Sequence, residues 1–293
     1  MGSIRIAENA GFCFGVKNAV DSVYDAISKA KVTGNKVYTL GEIIHNDSVI
    51  EKFKSENVEV LDDLTDLDIK KAKNATVIIR AHGVGKAVYK RLNELNCKYI
   101  DATCPFVRRI QRLVEEESKN RFVIIAGDAK HPEIKGIIGH CQNRYKVISN
   151  TDEAEKFEIN RDISLLTIVQ TTFLLKNFQD IVAILDKKGY YNNDVHNTIC
   201  DATTKRQLHT KELSENCDKM LVIGDTKSSN TRKLYELAKI HCNDTWLIQD
   251  SSGLDSIILQ STDSIGITAG ASTPNNIIEE VHTKCLNKVL NKC

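Results

Sequence analysis

Three cysteines, each at the mouth of a helix-like run and each followed by the same succession of strands and polar turns, constrain this chain more than any other feature. Cys13, Cys104 and Cys200 are spaced 91 and 96 residues apart in a chain of 293. After Cys13, Val16, Ala19, Val20, Val23 and Ile27 recur on one helical face. After Cys104, Pro105 suits a first helical turn, and Val107, Ile110 and Val114 repeat the pattern. The run after Cys200 is less cleanly amphipathic. Each unit then has an apolar strand ending in glycine: KVYTLG at Gly41, RFVIIAG at Gly127 and KMLVIG at Gly224. A polar turn and helix follow, then a short strand (VEVL, YKVI or TWLI), then a strand entering a second polar turn at His82, Thr171 or Ser272. Alternating strand and helix predict an α/β fold of three pseudo-threefold-related domains with largely parallel sheets. The divisions expected are 1–96, 97–193 and 194–293, the last with a C-terminal tail. In such sheets functional groups collect where strand C-termini meet helix N-termini. A threefold arrangement would therefore bring the three thiols to one point.

Composition narrows the function classes. The 40 basic and 39 acidic residues leave a net charge of +1, which argues against a general nucleic-acid binder. The longest apolar runs, FVIIA and MLVIG, fit buried strands and are too short to cross a membrane. The start of the chain, MGSIRIAENAGFCFGV, lacks the charged and apolar regions of a signal peptide, and Ile6 stands where myristoylation needs Ser or Thr. A cytoplasmic protein is the expectation. Its nine cysteines are then expected to pack, bind metal or react rather than pair, and no CxxC pair is present.

A thiolate at a helix start is stabilised by the dipole and by nearby cations, and Lys17, Arg108, Lys205 and Arg206 lie four to six residues beyond the cysteines. Three such thiolates suit a four-iron cluster with one iron left open, or a Cys3His zinc site; a chain with no metal is the third reading. Cys97, Cys141, Cys217, Cys242, Cys285 and Cys293 fall at no repeated position and read as packing or surface thiols, with Cys293 in a loose tail. The first polar turns carry His45 and Asn46, His131 and Glu133, and Ser228, Ser229 and Asn230. Donors at helix entrances suit a phosphate or diphosphate, with His82, Thr171 and Ser272 as a second ring, although any one of them could merely cap its helix. His140, His196, His209, His241 and His282 have no such positional echo. Glu133 is the odd charge in an anion-binding set, and a neighbouring anion would raise its pKa towards that of a proton carrier, with Thr171 as relay.

The motifs GFCFGV, IHN, AHG, DATCP, HPE, QTT, TIC with ATTKRQ, SSNT and GAST, in this order from Cys13 to Pro274, resemble those of the 4-hydroxy-3-methylbut-2-enyl diphosphate reductases of the non-mevalonate isoprenoid route. The resemblance implies a trefoil of three α/β domains around one 4Fe–4S cluster held by Cys13, Cys104 and Cys200. It implies that the substrate hydroxyl meets the open iron, and that His45, His82, His131, Ser228, Ser229, Asn230 and Ser272 hold the diphosphate. Glu133 and Thr171, with His131, match the family's proton-delivery residues. Two electrons, from ferredoxin or flavodoxin, and two protons would remove the hydroxyl as water and leave isopentenyl and dimethylallyl diphosphate. Lys227 stands where the family often has asparagine, and either adds charge near the diphosphate or points to solvent. Some relatives carry C-terminal RNA-binding modules; the chain ends at Cys293, and no nucleic-acid or membrane partner is expected. A monomer is the expectation, since no apolar helix face is left over. Two competing functions remain: a hydro-lyase using a cluster without redox, and a zinc- or cluster-stabilised ligand-binding protein.

Overall fold

The segments ATVII, LLTIV and IGITA are buried at every position, which is what a strand covered by helices on both faces requires. The computed structural model describes residues 2–65, 67–142 and 144–290, and among them twelve strands alternate with eleven α-helices. The chain runs β1 (Ile4–Ile6), α1 (Phe14–Thr33), β2 (Lys36–Leu40), α2 (Asp47–Ser55), β3 (Val58–Leu61), α3 (Ile69–Ala72), β4 (Ala75–Ile79), α4 (Lys86–Glu94) and β5 (Lys98–Asp101). It continues with α5 (Pro105–Glu117), β6 (Phe122–Ala126), α6 (Pro132–Ile138), β7 (Tyr145–Ile148), α7 (Thr151–Lys156), β8 (Leu165–Val169), α8 (Leu175–Lys187) and β9 (Asn193–Val195). Then follow α9 (Asp201–Ser214), β10 (Lys219–Ile223), α10 (Ser229–His241), β11 (Thr245–Ile248), β12 (Ile265–Ala269) and α11 (Asn275–Leu290).

The strands form three four-stranded sheets, β3-β2-β4-β5, β7-β6-β8-β9 and β11-β10-β12-β1, as the repeat predicts. Their pairings are all parallel. In the first two sheets the chain leaves a central strand for one edge and returns to continue towards the other; in the third the far edge is supplied by β1, from the start of the chain. Winding therefore reverses between β2 and β4, between β6 and β8, and between β10 and β12. Such reversals open a crevice at the strand C-termini. The register brings each pair to a common end: Leu40 lies opposite Ile79, Ala126 opposite Val169, and Ile223 opposite Ala269.

The sheets are not cut where the sequence repeat is cut. β5, just before Cys104, is the edge strand beside β4; β9, before Cys200, lies beside β8; β1, before Cys13, lies beside β12. The division at 96/97 thus runs in front of β5, and the one at 193/194 runs through β9. By contacts the chain separates into two compact units. One holds β1 and the chain through Val16, the short stretch His45–Asp47, and the chain from Asp201 onward. The other holds Lys17–Ile44 and Ser48–Cys200, and therefore the first two sheets.

Alternation supplies a core on each sheet face. Ile124, Ala126, Leu165 and Val169 pack with Phe173, Phe178 and Tyr190 on one side of the second sheet. Val123, Ile125, Leu166 and Ile168 pack with Ile110, Val114, Ile134 and Ile137 on the other. The third sheet divides likewise, Leu221 and Ile223 facing α11 residues and Met220 and Val222 facing Leu234 and Ala238 of α10. The first and second sheets are joined at a seam where the loop into α4 meets the end of α6. Lys86 N–H donates to Gly139 O at 3.3 Å, Lys86 Nζ pairs with Glu115 at 2.6 Å, and His140 reaches Glu115 through Nδ1 and Val84 O through Nε2.

Gly139 has an ordinary helical backbone, φ −64°, so only space forbids a side chain there. A Cβ would stand 2.4 Å from Gly85 Cα, closer than real contacts come. We expect Gly139→Ala to open this seam and lower stability by about 1–3 kcal/mol, the usual scale of overpacking, as read from urea or thermal denaturation.

Candidate active site

The turns that follow β6 and β8 build a buried acid. Gln170 ties them together: its Oε1 accepts from Asp128 N–H at 3.1 Å and its Nε2 donates to Thr172 Oγ1 at 3.1 Å. His131, the N-cap of α6, accepts the Glu133 N–H on Nδ1 at 3.2 Å, so its neutral ring carries the proton on Nε2. Pro132 occupies the first helical position, where a missing N–H costs nothing. Glu133, only 2% exposed, accepts two bonds from Thr171: the backbone N–H to Oε1 and the hydroxyl to Oε2, both 2.7 Å. Burial pushes the carboxyl above its ordinary range, and the two Thr171 bonds only partly oppose it. His82, from the turn after β4, lies edge-to-face on the His131 ring at 5.1 Å between centroids.

The edge strands deliver the cysteines to these same turns. Cys104 N–H donates to Ala81 O at 3.0 Å, and Cys200 N–H donates to Thr171 O at 3.3 Å. In the third sheet Gly11 N–H reaches Ala269 O at 3.5 Å, beside the turn of Ser272. This changes the grouping the sequence repeat implies. His82 belongs with Cys104 rather than Cys13, Thr171 with Cys200 rather than Cys104, and the Ser272 turn with the Cys13 loop. The reason is topological: each cysteine follows a strand that pairs with the preceding sheet. α1, α5 and α9 begin at the residue after each cysteine, with Cys104 the N-cap of α5. All three thiols are half-buried, and none of the described cysteines is in a disulfide. Cys97, Cys242 and Cys285 lie in hydrophobic clusters, Cys141 and Cys217 pack against others, and Cys293 lies outside the described residues.

The cations expected to serve the thiolates are largely engaged elsewhere. Lys17 pairs with exposed Asp21 at 2.5 Å. Arg108 pairs with Asp101 at 3.0 Å, and Asp101 Oδ1 also accepts from Thr103 N–H and Oγ1, fixing the turn that enters Cys104. Arg206 is buried and donates to backbone carbonyls near Cys13. Asp101 and Gln170 are supporting residues that sequence reasoning passed over, and Arg206, expected to serve the thiolate of Cys200, holds the Cys13 loop instead. The signal for the first was visible, a turn-forming Asp three residues before Cys104, but the two others depend on contacts across loops.

After β10 and β12 lies a cluster of polar donors. Gly224 (φ +145°) ends β10, and a Cβ there would come within 2.8 Å of Thr231 Oγ1 and Thr273 Oγ1, so only glycine fits. Ser228 caps α10, its Oγ accepting from Thr231 N–H at 3.3 Å, and Ser229 and Asn230 occupy the buried first turn. Asn230 Nδ2 and Ser272 Oγ are buried and have no hydrogen-bond partner among the described residues. Buried donors left this way cost about 1–3 kcal/mol each, which an anionic ligand would recover. Asn46 is buried and His45 half-buried, just before α2. Lys227 pairs with Asp47 at 2.8 Å, both about half exposed, so its charge is shared with an acid and faces solvent.

These donors fit the groups the sequence implies. Soft thiolates at three helix starts, clear of the hydrophobic clusters, suit iron–sulfur ligation. Buried hydroxyl, amide and imidazole groups at the strand reversals suit an anion. No helix among the described residues is long and apolar enough to cross a membrane.

Comparison with known proteins agrees. The family described as LytB protein matches residues 4–286. A protein of Caldanaerobacter subterraneus subsp. tengcongensis named 4-hydroxy-3-methylbut-2-enyl diphosphate reductase is 40% identical over 286 residues, covering 96% of each chain. One of the same name from Thermoanaerobacter sp. is 42% identical over 282 residues, again 96% of each. Among solved structures, the E-1-hydroxy-2-methyl-but-2-enyl-4-diphosphate reductase of Plasmodium falciparum superposes with a TM-score of 0.89 at 26% identity, over 96% of this chain and 87% of that one. Sequence relatives, solved structures and the three-sheet topology thus lead to one conclusion: the chain belongs to the LytB family and is, like its relatives, an oxidoreductase.

Proposed function

We propose that this chain converts 4-hydroxy-3-methylbut-2-enyl diphosphate to isopentenyl and dimethylallyl diphosphate. The reaction takes up two electrons and two protons, breaks the carbon–oxygen bond of the terminal alcohol, and releases the oxygen as water. The observation that carries this reading is the buried Glu133–Thr171 pair, on a turn whose carbonyl accepts the Cys200 N–H. An acid with a raised pKa, bonded to a hydroxyl and adjoining a ligand cysteine, has little use in passive binding.

Cys13, Cys104 and Cys200 would hold one 4Fe–4S cluster per chain. When bound, that cluster supplies the electrons and an open Lewis-acidic iron for the alcohol oxygen. The chain's own groups do the rest. His45, His82, His131, Thr171, Ser228, Ser229, Asn230 and Ser272 hold the diphosphate and so fix the reacting carbons. His131 presents its Nε2–H, because Nδ1 is already an acceptor. Glu133, whose carboxyl burial shifts towards the protonated form, passes its proton through Thr171 Oγ1 to the departing oxygen, since hydroxide leaves poorly and water leaves well. Ferredoxin or flavodoxin is the proposed electron donor, the cytoplasm the proposed compartment, and a monomer the proposed state.

Two substitutions separate chemistry from binding. Glu133→Gln keeps a group able to bond both Thr171 sites but carries no transferable proton. Its turnover should fall by roughly 10²–10⁴, the usual scale of a lost general acid, with substrate affinity nearly unchanged. Because the acid acts protonated, the wild-type rate should fall as pH rises through the raised Glu133 pKa, and the variant should lose that limb of the profile. Full activity in Glu133→Gln, or turnover without any reductant, would overturn the mechanism, the second result pointing to a hydro-lyase. Ser272→Ala should behave in the opposite way. A hydrogen bond to a charged ligand is worth about 1.5–3 kcal/mol, so the Kd for the diphosphate should weaken tenfold or more while turnover at saturation stays close to wild type.

A further inference from the structure

We infer that Arg206 is a positioning residue for Cys13: its buried guanidinium grips the loop that ends in this cysteine and sets where the thiolate stands. Arg206 is 2% exposed, on a helix whose first residue follows Cys200. Its Nε donates to Asn9 O and its Nη2 to Gly11 O, both at 2.8 Å, and Nη1 reaches Ala202 O at 3.5 Å. One planar fork thus holds two carbonyls two residues apart, the second of them two residues before Cys13. A lysine cannot reproduce this, because it offers a single ammonium nitrogen in place of a rigid fork.

The loop is held from its other sides as well. One turn beyond Arg206 on α9, His209 Nδ1 lies 3.0 Å from Asn9 Nδ2, and the amide must be the donor of that pair when Nδ1 is unprotonated. Gly11 has φ +92°, and a Cβ there would meet Asn275 Oδ1 at 2.8 Å and Ile278 Cδ1 at 2.9 Å, so α11 closes the side away from α9. The other two cysteine turns are fixed differently. Asp101 captures N–H and O–H donors ahead of Cys104, and Asn197 Oδ1 accepts from Ile199 N–H ahead of Cys200. At Cys13 the loop's own carbonyls are gathered, and arginine suits this because it supplies five donors in a fixed fork with a charge that persists at every working pH. The buried residues of α9 are Thr203, Arg206, Gln207, Thr210, Leu213 and Ser214, a mostly polar set in which Arg206 holds the loop and Thr210 meets Thr268 of β12.

The inference rests on Cys13 being a cluster ligand, so the test reads both the loaded and the empty protein. Wild type, Arg206→Gln, Arg206→Lys and Thr210→Val would be purified without air. Thr210→Val is the control, since it breaks the buried 3.0 Å bond to Thr268 on the same helix without touching the loop. Four measurements are made: iron and sulfide per chain, iron release to a chelator, the apo-protein melting temperature, and the ratio of Cys13 to Cys104 alkylation in the apo chain. Removing a group that orients a metal ligand typically costs ten- to a hundredfold in metal affinity. We expect iron release about tenfold faster in Arg206→Gln, less so in Arg206→Lys, and a raised Cys13 to Cys104 ratio in both. Thr210→Val should lower the melting temperature and leave release and ratio at wild-type values. If the Arg206 variants match Thr210→Val in both, Arg206 is a stability residue only and the inference fails. If wild type binds no iron and sulfide, the cluster reading fails instead, and the alkylation ratio alone decides whether Arg206 places Cys13.

Discussion

The backbone bond from each cysteine turn to the neighbouring strand end is the constraint on which the site depends. A parallel strand can be reached only by a crossover, so the strand at a sheet's edge must run in the same direction as the centre and end at the same side. Here that edge strand leads directly into a cysteine. Cys104 N–H on Ala81 O and Cys200 N–H on Thr171 O are the last links of these edges. The thiol is therefore placed by the same ladder that places the polar turn beside it. A slip of one residue in β5 or β9 would turn every side chain of the strand over and carry the cysteine away from its turn.

The acid depends on the same turns for its protonation state. Transferring a carboxylate from water into a buried site costs several kcal/mol, and two hydrogen bonds to the charged form return about 1.5–3 kcal/mol each. The balance at Glu133 falls on the side of burial, and its pKa is raised. A third donor would favour the charged carboxylate further and draw the pKa back down. With no donor the carboxyl would have no defined direction in which to offer its proton. Thr171 resolves both demands, because its hydroxyl can accept from the neutral acid as readily as it donates to the anion. The threonine carbonyl is meanwhile committed to Cys200. The position of Thr171 beside the acid is thus fixed by a backbone bond as well as by its hydroxyl.

Much of this was legible in the sequence because a repeat makes weak signals add. A single Ser, Thr or His at a helix start predicts little beyond a cap, yet His45, His131 and Ser228 each stand four residues beyond a strand-ending glycine, and the structure buries His131 and Ser228 at strand reversals. Strand and helix types followed from periodicity, since buried parallel strands are continuous apolar runs. What the repeat concealed was its own phase. Counting from cysteine to cysteine starts each unit after the edge strand, and KYID and NDV are too polar and too short to announce themselves as strands of the sheet behind them. Pairing is a long-range property, so the grouping of His82 with Cys104 and Thr171 with Cys200 could not be read from spacing. The same limit hid Arg206. Its charge was plain, but its partners are carbonyls nearly two hundred residues earlier in the chain, and carbonyl acceptors carry no sequence signature.

The described cysteines show how one residue type meets two environments in a single chain. Cys141 and Cys217 are pushed up to about 12, Cys285 to about 11, and Cys97 also upward, in each case mainly by burial. Burial thus favours their thiol form, and they pack as small apolar groups. Cys13, Cys104 and Cys200 stand elsewhere, each immediately before the first residue of a helix. There the chain offers partial exposure and the unpaired N–H groups of a first turn rather than an apolar wall. Position at a helix start, more than exposure, sets these three apart, since Cys141 and Cys217 are half-buried too but pack against hydrophobic clusters.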